Sequence, residues 1–333
     1  MGGWPREVIG QHLIVAVGSA GRLSSALLQT WRPAYGIVVA LLNRKGRFMG
    51  VRLRRATPED VEQCGRICYD AFASIADAHR FPHEFPAVEA AIGMISGLTN
   101  SAGFVGFVAE LDGGIVGSNF LDVRSPIHGL GPITVDPGIQ DGGVGRALMA
   151  AALDHSDGQG ALGVRLLQAA YHNRSLSLYA KLGFAVREPF AVLQGEPLGG
   201  LPGGPDVRTA DRNDLDVASQ LCVRVHGHER SGELIDALER GTATVVERDG
   251  RITGYSTGIA FFGHSVAETD ADLQALIGAA PGFGGPGFLL PLRNAGLLKW
   301  CLDHGLRVVQ MMNLMSVGWY REPEGAYLAS VTY

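Results

Sequence analysis

From Val51 onward, apolar and polar positions fall into short blocks whose period switches between two and about 3.6 residues. "VRLRRA" (51–56) alternates as a strand does. Thr57, Pro58 and Asp60 then supply an N-cap, a first-turn proline and a first-turn acid. Val61, Cys64, Ile67, Cys68 and Ala71 recur at helical spacing, which predicts a helix over 58–75. "FVAELDGGIVGSNF" (107–120) reads as a strand, an Asp-Gly turn and a returning strand. "LGPITVDP" (130–137) is a short buried strand closed by Pro137, and Val144, Ala147, Leu148, Ala151 and Leu153 mark a helix over 143–157. A strand "VRLLQA" (164–169) leads to a short helix that Asn173 is placed to cap. That helix carries Leu176, Tyr179, Ala180 and Leu182, ends at Gly183, and gives way to an extended "FAVREPF".

Much of this pattern returns further along the chain. In "VRTADRNDLDVASQLC" (207–222), Arg208, Ala210, Asp211, Asp214, Leu215, Leu221 and Cys222 each stand 154 residues beyond Arg54, Ala56, Thr57, Asp60, Val61, Ile67 and Cys68. "VVERDGRITGYSTG" (245–258) repeats the E-x-D-G-x-I-x-G hairpin of 107–120 at an offset of 137. Two matching segments in the same order make the chain a duplication. The Gly/Pro-rich stretch 196–206 breaks helix and strand alike and serves as the linker.

Length and composition narrow the class without choosing the chemistry. A chain of 333 residues accommodates two domains, and 46% hydrophobic with 18% charged residues describes an ordinary folded protein. A formal net charge of −5 gives no global field for nucleic acid or an acidic membrane surface. The four cysteines (64, 68, 222, 301) form no disulfide framework, so reduced thiols and a cytoplasmic setting are expected. No His or Cys cluster joins Cys64 and Cys68, and no metal site is expected. "HGHER" (226–230) puts two histidines at i, i+2, diverging on a helix, and reads as solvated surface.

Residues 1–49 stand apart. The apolar runs 12–23 and 34–42 fall short of the roughly 20 residues a membrane span needs. The charged region before them is weak and no small-residue cleavage site follows, so they make a poor signal peptide. "VGSAGRLSSAL" imitates a nucleotide loop without its Lys-Ser/Thr ending, and reads as a small-residue helix or an arm. The expectation is an N-terminal extension outside the fold, with the folded chain beginning near Met49.

Chemistry concentrates in "VDPGIQDGGVGRALM" (135–149). A strand–turn–helix passage leaves the first N–H groups of its helix without intrahelical partners. Gly142, Gly143 and Gly145 permit close approach to that backbone, and Arg146 adds to the positive end of the helix dipole. A pyrophosphate suits such a place, and a tightly packed turn is the alternative. A dinucleotide fingerprint does not fit, because 135–165 lacks both G-x-G-x-x-G and the later acid. Tyr179 lies on one helix face with Ser175 and Leu176, where core packing alone would account for it.

Gln140-Asp141-Gly142-Gly143-Val144-Gly145 resembles the Q/R-x-x-G-x-G/A loop of the GNAT-type N-acetyltransferase superfamily. Asn173 through Tyr179 to Gly183-Phe184 resembles that superfamily's N-x-x-x-x-x-Y-x-x-x-G-F segment. The likeness covers about 50–195, and 207–333 more loosely, as a tandem pair with a degenerate second GNAT-like domain. It implies an α/β (α+β) fold: two mixed, mostly antiparallel sheets flanked by helices. It implies acetyl-CoA as co-substrate, with the backbone of Ile133, Thr134 and Val135 along the pantetheine arm. It further implies that Gln140, Asp141, Gly142, Gly143, Val144, Gly145 and Arg146 hold the pyrophosphate. Asn173, Ser175 and Leu176 would border the cofactor, and Tyr179 would protonate the leaving thiolate as general acid. Asp122, Asp136 and His128 are candidate bases, each of which also reads as a surface or turn residue.

The second copy departs from that pattern. "DADLQALIGAA" begins a helix with no glycine loop before it, and Trp300 follows Asn294 where Tyr179 follows Asn173. The expected function is acetyl transfer to the primary amine of a small molecule or peptide, with a homodimer as a possible assembly. The alternative is a non-catalytic acyl-CoA-binding or scaffold protein.

Overall fold

The computed structural model describes residues 48–200 and 203–333, together with backbone strands at 8–9, 12–16 and 37–42. Those strands are β1 (Val8–Ile9), β2 (His12–Ala16) and β3 (Ile37–Leu42). β3 pairs antiparallel with β4 (Phe48–Arg55), from Ile37 opposite Leu53 to Leu42 opposite Phe48. The rest of the segment set apart by the sequence, including the loop-like stretch 17–27, lies outside the described residues. Among the described residues, no helix is long and apolar enough to cross a membrane.

The chain divides into two units: 1–122 with 130–161, and 123–129 with 162–333. In the first, β4 leads through a short 3-10 turn into helices α1 (Val61–His79) and α2 (Val88–Asn100). Strands β5 (Phe104–Leu111), β6 (Gly114–Asp122) and β7 (Ile127–Val135) and helix α3 (Val144–Gly158) follow, β7 giving this unit Leu130–Val135. β4, β5 and β6 pair antiparallel in sequence order. Thr57 and Asp60 close a capping box at the helix entry. The apolar stripe Cys64, Ile67 and Cys68 of α1 is buried against Ala91, Ile95 and Leu98 of α2 and against Val108, Ile115 and Phe120 of the sheet. Each such large side chain, fully buried, contributes roughly 1.5–3 kcal/mol.

A partly buried ionic clamp ties the start of this unit to its hairpin. Arg54 donates to both oxygens of Asp60 (2.6 and 2.8 Å) and to Glu110 (2.7 Å). Its hydrogen bond to Asp60, above all, raises the guanidinium pKa further.

The second unit repeats the same opening. β10 (Asp206–Thr209) leads through a 3-10 turn, capped by an Asp211–Asp214 box, into α5 (Leu215–His226) and then α6 (Ser231–Arg240). Arg208 donates to both oxygens of Asp214 (2.7 and 2.8 Å) and to Glu247 (2.6 Å). Asp214 and Glu247 are the sequence counterparts of Asp60 and Glu110, so the duplication extends to an ionic clamp. β11 (Thr244–Arg248), β12 (Arg251–Ser256) and β13 (Ser265–Ala267) form an antiparallel sheet, bounded by β10 and by β16 (Ala326–Leu328). α7 (Asp270–Ala279) follows β13.

The second sheet of this unit has an exchanged order. Two β-α-β passages contribute to it. One is β8 (Gly163–Ala169), α4 (Asn173–Lys181) and β9 (Ala185–Gln194). The other is β14 (Phe288–Pro291), α8 (Ala295–Asp303) and β15 (Arg307–Gly318). The strands run β8-β15-β9-β14, with every neighbouring pair antiparallel. β8 and β9 are therefore parallel and one strand apart, as a helical crossover permits, and β15 fills the gap. In the same way β9 fills the gap between β15 and β14. Both α/β folds and the tandem repeat are as the sequence implies; this interleaving is not visible in it.

Candidate active site

The glycine-rich loop belongs to the first unit. Gly117 of β6 lets the neighbouring strand press close, since a Cβ there would lie 2.7 Å from the Thr134 carbonyl oxygen and 3.4 Å from the Val135 Cα. Thr134 is buried, its hydroxyl 3.4 Å from that of Ser118, while Ile133 and Val135 are half-buried. Beyond the strand, Asp136 accepts from the Gly138 N–H at 2.7 Å, folding the chain into a turn. The Gln140 amide donates to the Val135 carbonyl at 3.0 Å and ties the loop to the strand end. Asp141 (φ 69°) and Gly143 (φ 89°) both take left-handed backbone, which turns the chain into α3.

Helix α3 starts open. Gly143 is its N-cap, so no side chain caps it, and no acid stands in the first turn. Val144 is buried and anchors the start in the core, Gly142 is buried, and Gly145 and Arg146 are half-buried. The N–H groups of the first turn, the dipole and Arg146 thus add on one helix end. Among the described residues, the parallel ladder of β7 with β8 covers only Ile127–Gly129 against Gly163–Arg165.

The second motif lies in the second unit. His172 is the N-cap of α4 and Asn173 its first helical residue, exposed and without a capping bond. This corrects the placing of Asn173 as N-cap: the Ser175 hydroxyl donates back to the His172 carbonyl at 2.9 Å and fixes the start one residue earlier. Gln168 donates to the Ser175 hydroxyl at 3.2 Å, and Asn313 of β15 holds Gln168 in turn at 3.0 Å. Leu176 is half-buried. Tyr179 is 8% exposed, its ring 6.2 Å from that of Phe184, and burial pushes its phenol pKa well up. The phenol is therefore neutral, a proton donor and not a phenolate, across the physiological range.

The corresponding parts of the second copy are closed or changed. Thr269 caps α7 by accepting from the Asp272 N–H at 3.2 Å, and Asp270 and Asp272 stand in its first turn. Asn294 caps α8 by accepting from the Leu297 N–H at 3.0 Å. Trp300 is half-buried and lies over His304, ring centres 4.3 Å apart.

Other residues singled out by sequence fall differently. Asp136 is the turn residue just described, but Asp122 and His128 are buried, not at the surface. The "HGHER" histidines are not solvated. His226 ends α5 fully buried, with Nδ1 2.7 Å from the Tyr333 hydroxyl and Nε2 3.0 Å from Nε2 of His264. His228 is buried beside them, its ring centre 5.9 Å from that of His226. Burial first, and the neighbouring cations and imidazoles next, lower all three pKa values, His228 to about 3. Arg165 and Arg187 carried no signal in the sequence, because each reads as one polar position in a short strand.

Three comparisons bear on this arrangement. The sequence model of the acetyltransferase (GNAT) domain matches residues 102–186. A mycothiol acetyltransferase of Streptomyces avermitilis is 38% identical over 90 residues, which span 26% of this chain and 28% of that protein. In structure, a protein of Pyrococcus horikoshii assigned as an acetyltransferase superposes with a TM-score of 0.65 at 17% identity, covering 84% of this chain and 92% of that one. A GCN5-related N-acetyltransferase from Sphaerobacter thermophilus gives 0.56 at 14% identity, over 82% and 96%. At such identities the structural likeness speaks for the fold alone. Residues 102–186, the stretch that matches the GNAT domain model, include the whole glycine loop and Tyr179.

Proposed function

We propose that the chain is an acetyl-CoA-dependent N-acetyltransferase acting on the primary amine of a small molecule or peptide. One contrast carries this reading: the helix start after the glycine loop is uncapped and cationic, while its counterpart α7 is filled by its own Thr269 and Asp272. On this reading the amides of 142–146 and the Arg146 guanidinium take the pyrophosphate of acetyl-CoA. The partial likeness to mycothiol acetyltransferases supports acetyl transfer in the same sense.

The chemistry then needs two groups from the protein. The amine nitrogen attacks the thioester carbonyl carbon, and the backbone N–H near Val135 steadies the oxyanion that forms. As the C–S bond breaks, Tyr179 donates its phenolic proton to the departing sulfur. A phenol whose pKa is raised by burial is a weak acid, so it gives up the proton only as negative charge builds on sulfur in an equally dry setting. The proton lost by the amine passes to one of Asp122, Asp136 or His128, directly or through water; Asp136 already commits one oxygen to Gly138.

The test is an amine-acceptor panel with acetyl-CoA, read by release of free thiol. Turnover with at least one amine, falling about a hundredfold in Tyr179→Phe while acetyl-CoA still binds, is the expected result. Tight acetyl-CoA binding with no transfer to any amine would overturn the enzyme reading in favour of an acyl-CoA-binding protein.

A further inference from the structure

The second unit contains an open cleft of about 570 Å³ whose walls include Val186, Arg187, Glu188, Arg293 and Tyr320. Arg293 is committed: it bonds to the buried Glu188 on one side and to Glu322 on the other. Arg187 is not. Its Nε donates to the Ser316 hydroxyl at 2.8 Å and its guanidinium carbon lies 4.7 Å from the centre of the Tyr320 ring. Among the described residues it has no carboxylate partner. Ser316 is fully buried, so this exposed arginine is held by a fixed neighbour.

A β-bulge places it. Glu188 pairs with Leu314 and Val186 with Met315, which leaves Arg187 as the extra residue of β9. Bulges re-aim a side chain out of the ordinary pleat. A second guanidinium, that of Arg165, lies 5.3 Å from the same ring centre. Arg165 is fully buried, and Nε, Nη1 and Nη2 all lack a hydrogen-bond partner among the described residues. An arginine keeps its charge, and a buried cation without a counterion is unfavourable. In the cleft lining Arg187 and Arg293 stand against Glu188 and Glu322, and Arg293 takes both carboxylates, which leaves Arg187 as the lining cation without one.

We propose that this cleft is a carboxylate-binding site for a monoanion with an apolar body. The carboxylate takes the open edge of the Arg187 fork in the geometry guanidinium favours. The body lies along Val186, Pro189 and Leu292, with Tyr320 as an aromatic wall. A single uncommitted guanidinium suits a carboxylate better than a doubly charged phosphate.

The experiment titrates the full chain with 3-phenylpropionate and with its amide, by ligand-observed NMR. The acid should bind at least about tenfold more tightly than the amide. Arg187→Gln should remove that preference, and Ser316→Ala, which only loosens the guanidinium, should weaken it by a smaller factor. Equal binding of acid and amide, binding of neither, or a preference that survives Arg187→Gln would each overturn the proposal. Displacement of the acid by an equal concentration of inorganic phosphate would overturn the choice of carboxylate. An unchanged unfolding midpoint shows that Arg187→Gln has kept its fold; if the midpoint moves, the Ser316→Ala titration decides.

Discussion

Helices α3 and α7 occupy the same place in the two copies, each following the fourth strand of the repeat, yet they begin in opposite ways. α7 satisfies its own terminal N–H groups: Thr269 caps it, and Asp272 sits in its first turn, held by Arg248 at 2.6 Å. α3 has Gly143 at its cap and Arg146 at the position matching Asp272. One helix is electrostatically finished; the other begins with neither a side-chain cap nor an acid in its first turn. Meanwhile the clamps Arg54–Asp60–Glu110 and Arg208–Asp214–Glu247 are kept in full. In this duplicated fold the contacts that hold the backbone are kept while the helix starts diverge.

Acid should separate the two regions most strongly. His226, His228 and His264, all in the second unit, have pKa values lowered by burial below the usual 6.5. Between those values and 6.5 the unfolded chain binds more protons, so their contribution is complete above about pH 7 and is lost as pH falls. Each is expected to cost roughly 2 kcal/mol between pH 7 and 5, about 6 kcal/mol together. Denaturant unfolding at both pH values measures the total, and amide exchange locates it. Exchange that quickens in α3 before α5 would contradict the assignment.

The helix starts differ by a smaller free energy. Arg146→Asp gives α3 the acid that α7 carries, and acetyl-CoA binding should weaken about thirtyfold, or roughly 2 kcal/mol. Asp272→Arg should create no acetyl-CoA binding, because Thr269 still caps α7. Calorimetric titration of both variants checks the pair, and an unchanged affinity in Arg146→Asp would remove Arg146 from the site.

The smallest effect has the opposite pH sign to the first. Burial, with a lesser contribution from Asp157, lifts Asp154 of α3 to about 6, and one of its oxygens has no partner among the described residues. The native state therefore holds this proton more tightly than the unfolded chain, and stability falls as pH rises from about 4 to 6. Asp154→Asn should stabilise by about 1 kcal/mol at pH 7.5, discounted for partial exposure, and by nothing at pH 4. Chemical unfolding at those two pH values measures it; an equal gain at both would point to packing instead of charge.

Local chemistry was the legible part of this chain. Thr57 with Asp60 and Asp211 with Asp214 form the boxes their spacing implies, and Asp112-Gly113 and Asp249-Gly250 turn with positive φ. The open start of α3 likewise follows from Gly143 itself. What escaped depends on distant partners. The burial of His226 rests on His264, 38 residues on, and Tyr333, 107 on. The start of α4 shifted by one residue because a serine two positions past Asn173 bonded first. The bulge at Arg187 exists only against β15, whose arrival no period in "FAVREPF" announces.

The interleaved strands also bear on how such a protein can change over generations. Because β9 and β15 each sit inside the other copy's β-α-β passage, neither half of the gene can be deleted without opening a gap in the partner's sheet. The second copy is thereby kept for its strand, whatever becomes of its loop. A lineage whose second loop diverged was still obliged to inherit the architecture.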